Sequence, residues 1–388
     1  MSHVQVCPVC ESDAITPFLR RAGVPVHQNL VMEDQASARN ITRGDLELAV
    51  CDQCGFGFNR TFDLSKLSYG DHYDNTQICS PSFNDHVTRL VRYLVVDRNV
   101  QNCRVIEVGC GAGLFLKALV EFEGSGNTGI GFDPAYTGPT DLLDGRLTFQ
   151  KQYYGPECAD ASADIVICRH VIEHVPNPVV LLKTIREALI HSPRARVFFE
   201  TPCLKWILRN ETIWDLFYEH CSYFSLNSLT SAFEVAGFMV ETRRHVFGGQ
   251  YLWIEATLAP NASVVRMEPG NVPSLARQFT TLEETLKRDW EAKIQDLAKK
   301  GNFALWGAGA KGVTLANLVD PQYQWIDCIV DLNPRKQGHY LPGTGHPIVA
   351  YQELPHRHVK TAVVMNPNYY DEIQELIDQA RLHVSLTQ

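Results

Sequence analysis

The sequence predicts an α/β protein built on a doubly wound, mostly parallel sheet, with a small cysteine-rich segment before it and a second α/β unit after it. Three observations predict this organisation. Two Cys-x-x-Cys pairs lie near the N-terminus, a strand runs into a glycine loop and a helix at 104–119, and a second strand and glycine loop follow at 303–312. We expect domains at 1–75, 76–260 and 261–388.

Composition restricts the class of protein. The chain has 388 residues, which is enough for two or three domains. Its formal net charge is −9 and it has no basic run, so we do not expect a nucleic-acid partner. We find no long apolar stretch or signal region, and therefore expect a cytoplasmic protein without a membrane partner, either a monomer or a homodimer. The 12 cysteines are then expected to be reduced.

The N-terminal segment contains Cys7-Pro-Val-Cys10 and Cys51-Asp-Gln-Cys54. Two such pairs in a small unit are typical of a structural zinc site, in which four thiolates close a tetrahedral shell around Zn²⁺. A segment of this size holds too little core to fold alone, so we expect the metal to fold it and to take no part in chemistry. A redox pair and four unligated cysteines are the alternatives.

The central strand and loop read Arg104-Val-Ile-Glu-Val-Gly-Cys-Gly-Ala-Gly113, with Glu107 two residues before the first glycine. Glycines permit a tight turn and the close approach of a ligand. The glycines of this loop are Gly109, Gly111 and Gly113. The next predicted strand ends at Asp133, where a carboxylate can accept hydrogen bonds from ribose hydroxyls. A tight turn without a ligand is the alternative for the loop alone.

This Glu-x-Gly-x-Gly-x-Gly loop resembles the first motif of class I S-adenosylmethionine (SAM) methyltransferases more than the Gly-x-Gly-x-x-Gly pattern of dinucleotide-binding proteins. The resemblance implies a class I methyltransferase sheet, and the cysteine pairs and the second glycine loop add to it a small N-terminal zinc-binding domain and a C-terminal Rossmann-like α/β domain. It also implies that the three glycines and Asp133 hold SAM, and that Glu107 braces the loop.

A second loop of the same core follows the predicted strand at 163–168. Arg169-His-Val-Ile-Glu-His174 resembles the loop that contacts the amino-acid part of SAM and faces the substrate in this class. Arg169 is therefore a predicted SAM contact, and His170 or His174 could hydrogen-bond the substrate. The segment 69–76 commonly caps the SAM pocket in this class, with a plain surface loop as the alternative.

The remaining elements of the core follow from hydrophobic periodicity. Helices are predicted at 82–94, 179–189 and 228–236. Strands are predicted at 128–133, 146–150, 195–200, 238–246 and 250–257, the last two as a closing hairpin with one antiparallel strand.

The insertion at 201–225 carries the most specific motif. Its Glu219-His-Cys-Ser-Tyr-Phe-Ser225 is similar to the signature of sugar C-methyltransferases that act on TDP-4-keto-deoxysugars. Those enzymes also have an N-terminal zinc segment and a C-terminal nucleotide-binding-like domain, so the resemblance covers nearly the whole chain. It implies a TDP-sugar substrate, with His220 as the base and Glu219 beside it. The family often has a tyrosine three residues before this histidine; here Phe217 occupies that position and Tyr218 is the neighbouring candidate.

Chemistry supports His220 independently of the family. Methylation of carbon needs a nucleophilic carbon, and a 4-ketosugar supplies one when a proton leaves C3. Histidine is suited to accept that proton near neutral pH, and an adjacent carboxylate can orient its ring. A structural or solvated histidine is the alternative. O- or N-methylation of another small metabolite would use SAM without an acidic carbon.

The C-terminal part begins with a predicted packing helix at 274–300, for which a dimer helix is the alternative. The following Gly307-Ala-Gly-Ala-Lys-Gly312 fits the dinucleotide pattern, and a strand then ends at Asp331. An NAD-binding redox or non-catalytic protein is therefore a further alternative, although the unit is only half of a full dinucleotide fold. Residues 331–344 resemble the sugar methyltransferases again, in which this domain helps to position the nucleotide sugar. The predicted phosphate partners are Lys311, Arg335 and Lys336.

Overall fold

The computed structural model describes residues 5–68, 73–74, 76–158, 162–260 and 265–388. The strands are β1 (Ile15–Pro25), β2 (Arg43–Cys51), β3 (Gly57–Asn59), β4 (Arg104–Val108), β5 (Thr128–Phe132), β6 (Asp141–Leu142), β7 (Leu147–Gln150), β8 (Ile165–Arg169), β9 (Arg196–Pro202), β10 (Ser222–Tyr223), β11 (Phe238–Val246), β12 (Tyr251–Leu258), β13 (Phe303–Trp306), β14 (Cys328–Val330), β15 (Ile348–Val349), β16 (Thr361–Val364) and β17 (Ser385–Thr387).

The helices are α1 (Gln35–Arg39), α2 (Pro81–Arg92), α3 (Leu114–Glu121), α4 (Pro178–Ala188), α5 (Leu204–Arg209), α6 (Leu226–Val235), α7 (Val272–Lys300), α8 (Ala310–Val319) and α9 (Tyr370–Gln379). Within the described ranges, none of the helices combines the length and the apolar character needed to cross a membrane.

The central sheet has the strand order β11-β12-β9-β8-β4-β5-β7-β6. The strands from β9 to β7 are parallel, and β12 is antiparallel to both of its neighbours. Helices α2 and α3 bury Leu90 and Leu116 in one hydrophobic cluster, whereas α4 and α6 bury Leu182 and Leu229 in another. The predicted doubly wound sheet with an antiparallel closing strand is confirmed.

The N-terminal sheet has the order β1-β2-β3-β10. A long antiparallel hairpin, β1 and β2, occupies the stretch between the two cysteine pairs. The edge strand β10 belongs to the 201–225 insertion, and its Ser222 and Tyr223 pair with Phe58 and Gly57 of β3. A Cβ at Gly57 would lie 2.7 Å from the Leu204 side chain, so the absence of a side chain permits this close approach. The cysteine-rich module and the insertion therefore share one sheet.

The C-terminal sheet is entirely parallel, with the order β15-β14-β13-β16-β17. Helix α8 buries Val313 and Leu315 in one hydrophobic cluster, and α9 buries Ile373 and Ile377 in another. The Rossmann-like arrangement predicted for this part is present. Its second strand is shorter than predicted, because it begins at Cys328 and not at Trp325.

Helix α7 connects the parts of the molecule over 29 residues. Near its start, Val272 and Phe279 pack in one cluster with Phe18 of β1, and near its end Ile294 packs with Phe303 of β13. In its middle, Glu283 forms a buried ion pair with Arg21, with 2.8 Å between Oε1 and Nε. The other nitrogens of Arg21 donate to carbonyls at 213 and 216, so this pair also holds the 201–225 insertion.

Candidate functional site

The four cysteines of the N-terminal module meet at one point. Their sulfurs lie within 4.8 Å of one another, with 3.6 Å between Cys7 and Cys54 and 3.5 Å between Cys10 and Cys51. In a tetrahedral site with Zn–S bonds of about 2.3 Å, neighbouring sulfurs are about 3.8 Å apart. The turn after Cys54 uses Gly55, whose φ is +72°. The donor set and its spacing fit a structural zinc ion.

The first glycine loop turns from β4 into α3 above the end of the sheet. Gly109 N–H and Cys110 N–H donate to the Phe132 carbonyl, and Gly111 N–H donates to Asp133 Oδ2 at 2.8 Å. Gly111 has a φ of +53°, and a Cβ built on it would meet no atom within 4 Å. The loop therefore leaves open space at the position where a ligand is predicted to lie.

Two buried side chains, one acidic and one basic, lie beside this loop, and each has one atom without a hydrogen-bond partner among the described residues. These atoms are Glu107 Oε2 and Arg169 Nη2. The Arg169 side chain is only 8% exposed; its Nε donates to Glu200 Oε2 at 2.8 Å, and its guanidinium lies 4.3 Å from the centre of the Phe115 ring. Burial raises the pKa of Glu107 to about 8. An amino acid group, with its ammonium and carboxylate, fits this pair, so the residues present fit SAM.

A cavity of about 280 Å³ opens between the middle and C-terminal domains. Its lining includes His170, Glu173, His174, Phe217, Glu219, His220, Tyr251, Gly307, Gly309, Lys311, Gly312, Asp331 and Lys336. Tyr73 and Thr76 of the predicted capping segment also line it, whereas 69–72 and 75 lie outside the described residues. Of the described residues, those of the first glycine loop do not line this cavity, but Arg169 directly precedes His170 and so connects the two.

His220 is the predicted base and lies in this cavity. Its ring centre is 4.1 Å from that of Phe217 and 4.9 Å from that of His174. Its Nδ1 is buried and has no hydrogen-bond partner among the described residues. Burial lowers the pKa of His220 well below its ordinary value, and its neighbours His174, His170 and Lys311 act in the same direction. The imidazole is therefore neutral at physiological pH and able to accept a proton.

His170 has the opposite electrostatic environment. Burial alone would lower its pKa, but the carboxylates of Glu173 and Glu200 outweigh burial and raise it to about 9. Nδ1 lies 3.5 Å from Glu173, Nε2 lies 3.5 Å from Glu200, and the ring packs edge-on against Tyr251. The imidazolium form is therefore favoured near neutral pH, so the cavity holds one histidine that can donate a proton and one that can accept it.

Glu219 lines the cavity but does not orient His220 as expected. Its Oε1 lies 2.9 Å from His27 Nδ1, and its Oε2 accepts the Gln28 N–H at 3.2 Å. Because the Ser68 N–H donates to His27 Nε2, the proton of this ring is on Nδ1 and is donated to Glu219. The carboxylate thus ties the loop of His220 to the N-terminal domain.

Tyr218, a predicted catalytic residue, is directed away from the cavity. Its side chain is fully buried, and its hydroxyl accepts a hydrogen bond from Asp63 N–H at 2.8 Å. Its ring packs against Gly44, where a Cβ would come within 2.4 Å of it. Phe217, one residue earlier, is the member of this pair that reaches the cavity. The structure therefore gives Tyr218 a packing role and corrects the prediction.

Glu200, at the end of β9, is a site residue that the sequence reasoning missed. It is fully buried, and it lies 2.6 Å from His86 Nε2 and 2.8 Å from Arg169 Nε. These partners and His170 hold its pKa well below the usual range despite burial. Its position at the carboxyl end of a predicted parallel strand was a usable signal. For His27 no such signal existed, because it meets Glu219 across 192 residues.

The second glycine loop repeats the backbone arrangement of the first. Asp331 accepts Ala308 N–H on Oδ2 and Asn333 N–H on Oδ1, both at 2.8 Å. Asp133 accepts Gly111 N–H and Ala135 N–H in the same way, also at 2.8 Å. Gly307, Gly309 and Gly312 of this loop line the same cavity as His220.

Two of the three predicted phosphate partners line the cavity. Lys336 is buried and donates to the Ala308 carbonyl at 3.2 Å, while Lys311 is paired with Asp215. Arg335 is 65% exposed at its side chain, lies 3.4 Å from Asp74, and is not a lining residue of the cavity. The prediction for Arg335 is therefore wrong for this cavity.

Comparisons with known proteins agree with this architecture. Residues 73–243 match the model of a methyltransferase domain, and residues 271–383 match that of the C-methyltransferase C-terminal domain. The C-methyltransferase NovU of Streptomyces niveus is 27% identical over 95% of this chain and 91% of its own length.

Other similarities are confined to part of the chain. The ubiquinone biosynthesis O-methyltransferase of Stutzerimonas stutzeri is 32% identical over 104 residues, which are 25% of this chain and 44% of that protein. A crystal structure of magnesium protoporphyrin IX methyltransferase from Synechocystis contains bound S-adenosylhomocysteine (SAH). It matches 46% of this chain and 84% of its own chain, with 18% sequence identity and a TM-score of 0.35.

The packing role of Tyr218 can be tested by Tyr218→Phe. Loss of one hydrogen bond should lower the free energy of unfolding by about 1 kcal/mol, because Asp63 N–H loses its acceptor. Turnover should stay within about twofold of wild type, measured below the unfolding temperature. A large loss of turnover in a folded Tyr218→Phe variant would show that Tyr218 takes part in catalysis. Phe217→Ala, which changes the neighbouring residue inside the cavity, is the variant for comparison.

Proposed function

We propose that this chain, a SAM-dependent methyltransferase that carries the C-terminal domain of C-methyltransferases, methylates the carbon next to a ketone in a nucleotide-linked deoxysugar. The observation that carries the proposal is the pair of histidines in one cavity: His170 lies 3.5 Å from each of two buried carboxylates, whereas His220 packs against Phe217 and its buried Nδ1 has no hydrogen-bond partner among the described residues. The similarity to the C-methyltransferase NovU over nearly the whole chain supports the type of reaction.

The first glycine loop and its surroundings would hold SAM, which supplies a methyl group on a positively charged sulfur. The residues proposed for this are Gly109, Gly111, Gly113, Asp133, Glu107 and Arg169. Arg169 Nη2 would donate to the carboxylate of the methionine part, and Glu107 Oε2 would accept from its ammonium. An ammonium there would favour the ionised form of Glu107.

His220 would act as the base. Its neutral imidazole accepts the proton from the carbon next to the ketone, and the electron pair of the broken C–H bond moves onto the ketone oxygen. The imidazolium of His170 would donate a hydrogen bond to this oxygen and stabilise the enolate. The enolate carbon would then take the methyl group as the ketone re-forms, and the electron pair of the broken sulfur–methyl bond would stay on sulfur, so that S-adenosylhomocysteine is the leaving group.

The second glycine loop would bind the diphosphate of the substrate. It lies at the N-terminus of α8, where backbone N–H groups favour an anion. Lys336 and Lys311 line the same cavity and can donate to phosphate oxygens. Lys311 is paired with Asp215, so a phosphate there would replace one anionic partner by another. A TDP-sugar carries its diphosphate between the nucleoside and the reacting ring, as this arrangement requires.

Zn²⁺ is proposed at Cys7, Cys10, Cys51 and Cys54, with a structural role. Four thiolates complete the tetrahedral shell and leave no coordination position for a substrate. The module would affect catalysis through its contacts with the 201–225 insertion, among them the strand pair β3–β10, which begins two residues after His220.

Proton exchange tests the function directly. In deuterated water, with S-adenosylhomocysteine (SAH) bound and a TDP-4-keto-6-deoxyhexose added, the C3 proton should exchange, because His220 removes it without a methyl donor present. His220→Asn should lower the exchange rate by at least about a hundredfold, the usual contribution of a general base. NMR of the sugar measures both rates.

His191→Asn, at an exposed histidine outside the cavity, is the matched control and should exchange as wild type does. Absence of exchange in the wild type, with SAH binding intact, would show that the enzyme does not remove the C3 proton. Hydroxyl and amine acceptors would then be the ones to test.

The proposed contact of Arg169 with the amino acid group predicts the effect of Arg169→Leu. The variant should bind SAH at least about tenfold more weakly, since a charge-assisted hydrogen bond is worth roughly 1.5–3 kcal/mol. Calorimetry measures the affinity, and exposed Arg146→Leu is the control. Equal affinity in Arg169→Leu and wild type would remove Arg169 from the cofactor site.

Removal of zinc should affect the proposed substrate site more than the proposed SAM site. Metal loss frees the N-terminal module from its cross-link, and with it the edge strand β10, so C3 exchange should fall by at least about tenfold. SAH affinity should change by less than about threefold, because the first glycine loop lies on the central sheet. Re-addition of Zn²⁺ should restore exchange.

Cys51→Ser should behave as the metal-stripped protein does, and Cys103→Ser, outside the cluster, should not. Exchange that continues unchanged after complete metal removal would show that the module does not position His220.

A further inference from the structure

We propose that Glu173, His174 and His220 bind a divalent transition-metal ion of the Zn²⁺ type inside the cavity, and that an ion held there inhibits the enzyme. This site is distinct from the four-cysteine cluster. The inhibitory part rests on the proposed function of His220 as the base, whereas the binding part does not depend on it.

The geometry of the three side chains carries the proposal. Each offers one ligand atom, and these atoms all lie within 4.8 Å of one another. Ligand atoms of one zinc ion, bound at about 2.0–2.2 Å, are at most about 4.3 Å apart. The spread of at most 4.8 Å is close to what one ion spans, so small side-chain rotations would complete the set of ligands.

Unsatisfied atoms in the same cluster point to a missing ligand. Glu173 is 2% exposed, and its Oε1 has no hydrogen-bond partner among the described residues, although His170 Nδ1 lies 3.5 Å away. His220 Nδ1 is likewise buried without one. Thr201 Oγ1 donates to the other oxygen, Glu173 Oε2, at 2.9 Å and so fixes the orientation of the carboxylate. A hydrogen bond of this kind, from outside the ligand set, is typical of metal-binding carboxylates.

The donor set selects the class of ion. Two imidazoles and one carboxylate suit Zn²⁺, Co²⁺ and related ions, whereas Mg²⁺ and Ca²⁺ prefer oxygen ligands alone. Three protein ligands leave at least one coordination position open to the cavity. The ion would therefore be accessible from the side on which the substrate is proposed to bind.

Occupancy of this site would disable both histidines of the proposed reaction. An ion bound to His220 uses a lone pair of the imidazole, so the lone pair is no longer available to accept a proton. Glu173 is also the neighbour of His170, at 3.5 Å from its Nδ1. An ion on Glu173 would take up the carboxylate oxygen that faces His170, so this carboxylate would no longer position the His170 ring.

Cobalt binding to the zinc-loaded full chain tests the site. Co²⁺ in a mixed nitrogen and oxygen site absorbs weakly in the visible, whereas Co²⁺ bound by thiolates gives strong near-ultraviolet charge-transfer bands. We expect one saturable equivalent of the first kind in wild type. Glu173→Gln and His174→Asn should weaken binding at least about tenfold, since even changes outside the ligand set cost about that much. His191→Asn is the matched control and should bind as wild type does.

Exchange of the C3 proton, measured in the same samples, should fall with the same cobalt dependence and recover with EDTA. Absence of the visible absorption in wild type, or equal affinity in Glu173→Gln, His174→Asn and wild type, would overturn the metal site. SAH binding establishes that the variants are folded. Exchange without cobalt binding would leave the proposed function standing and remove this inference. Cobalt binding without exchange in any sample would overturn the proposed function, and the inhibitory part with it, and would leave the metal site standing.

Discussion

The backbone pairing of β3 with β10 is the constraint on which the candidate site depends. It joins strands that lie more than 160 residues apart in the chain, and it fixes the insertion two residues after His220. Gly57 permits the approach because a side chain there would meet Leu204. Arg21 and Glu219 strengthen the same junction, the first through carbonyls at 213 and 216, the second through His27. A module without reacting groups therefore determines where the proposed base lies.

Within the cavity, the two histidines differ in their electrostatic surroundings. His170 lies between two buried carboxylates, whereas His220 lies among aromatic rings and cationic neighbours. Identical side chains thus acquire opposite proton affinities from their surroundings. Glu173 and Glu200 both contribute to this difference, and Glu200 also contacts His86 and Arg169 from one fully buried position. Arg169 in turn connects the histidines to the first glycine loop, so the proposed cofactor and substrate sites share one charge network.

Much of the fold was predictable from the sequence, because buried parallel strands and glycine loops leave strong local patterns. The central sheet, α7 and the cysteine cluster followed from periodicity and spacing. The site was predictable only in part. His220 was placed in the cavity, but Tyr218 and Glu219 were assigned from adjacency in the chain, and adjacent side chains in a loop point in different directions. Their partners, Asp63 and His27, are distant in sequence, and single-sequence patterns contain no information on such contacts.

The dimensions of α7 have a consequence for how such a chain can change over evolution. At about 1.5 Å of rise and about 100° of rotation per residue, a single inserted residue would turn everything after it relative to everything before it. The buried Glu283 and the packed residues at both ends allow no slippage. Substitutions around the cavity can accumulate one at a time, whereas the length of this helix cannot change by one residue without turning its two ends relative to each other. Diversification of the acceptor is therefore easier to achieve in the loops than through the spacing of the domains.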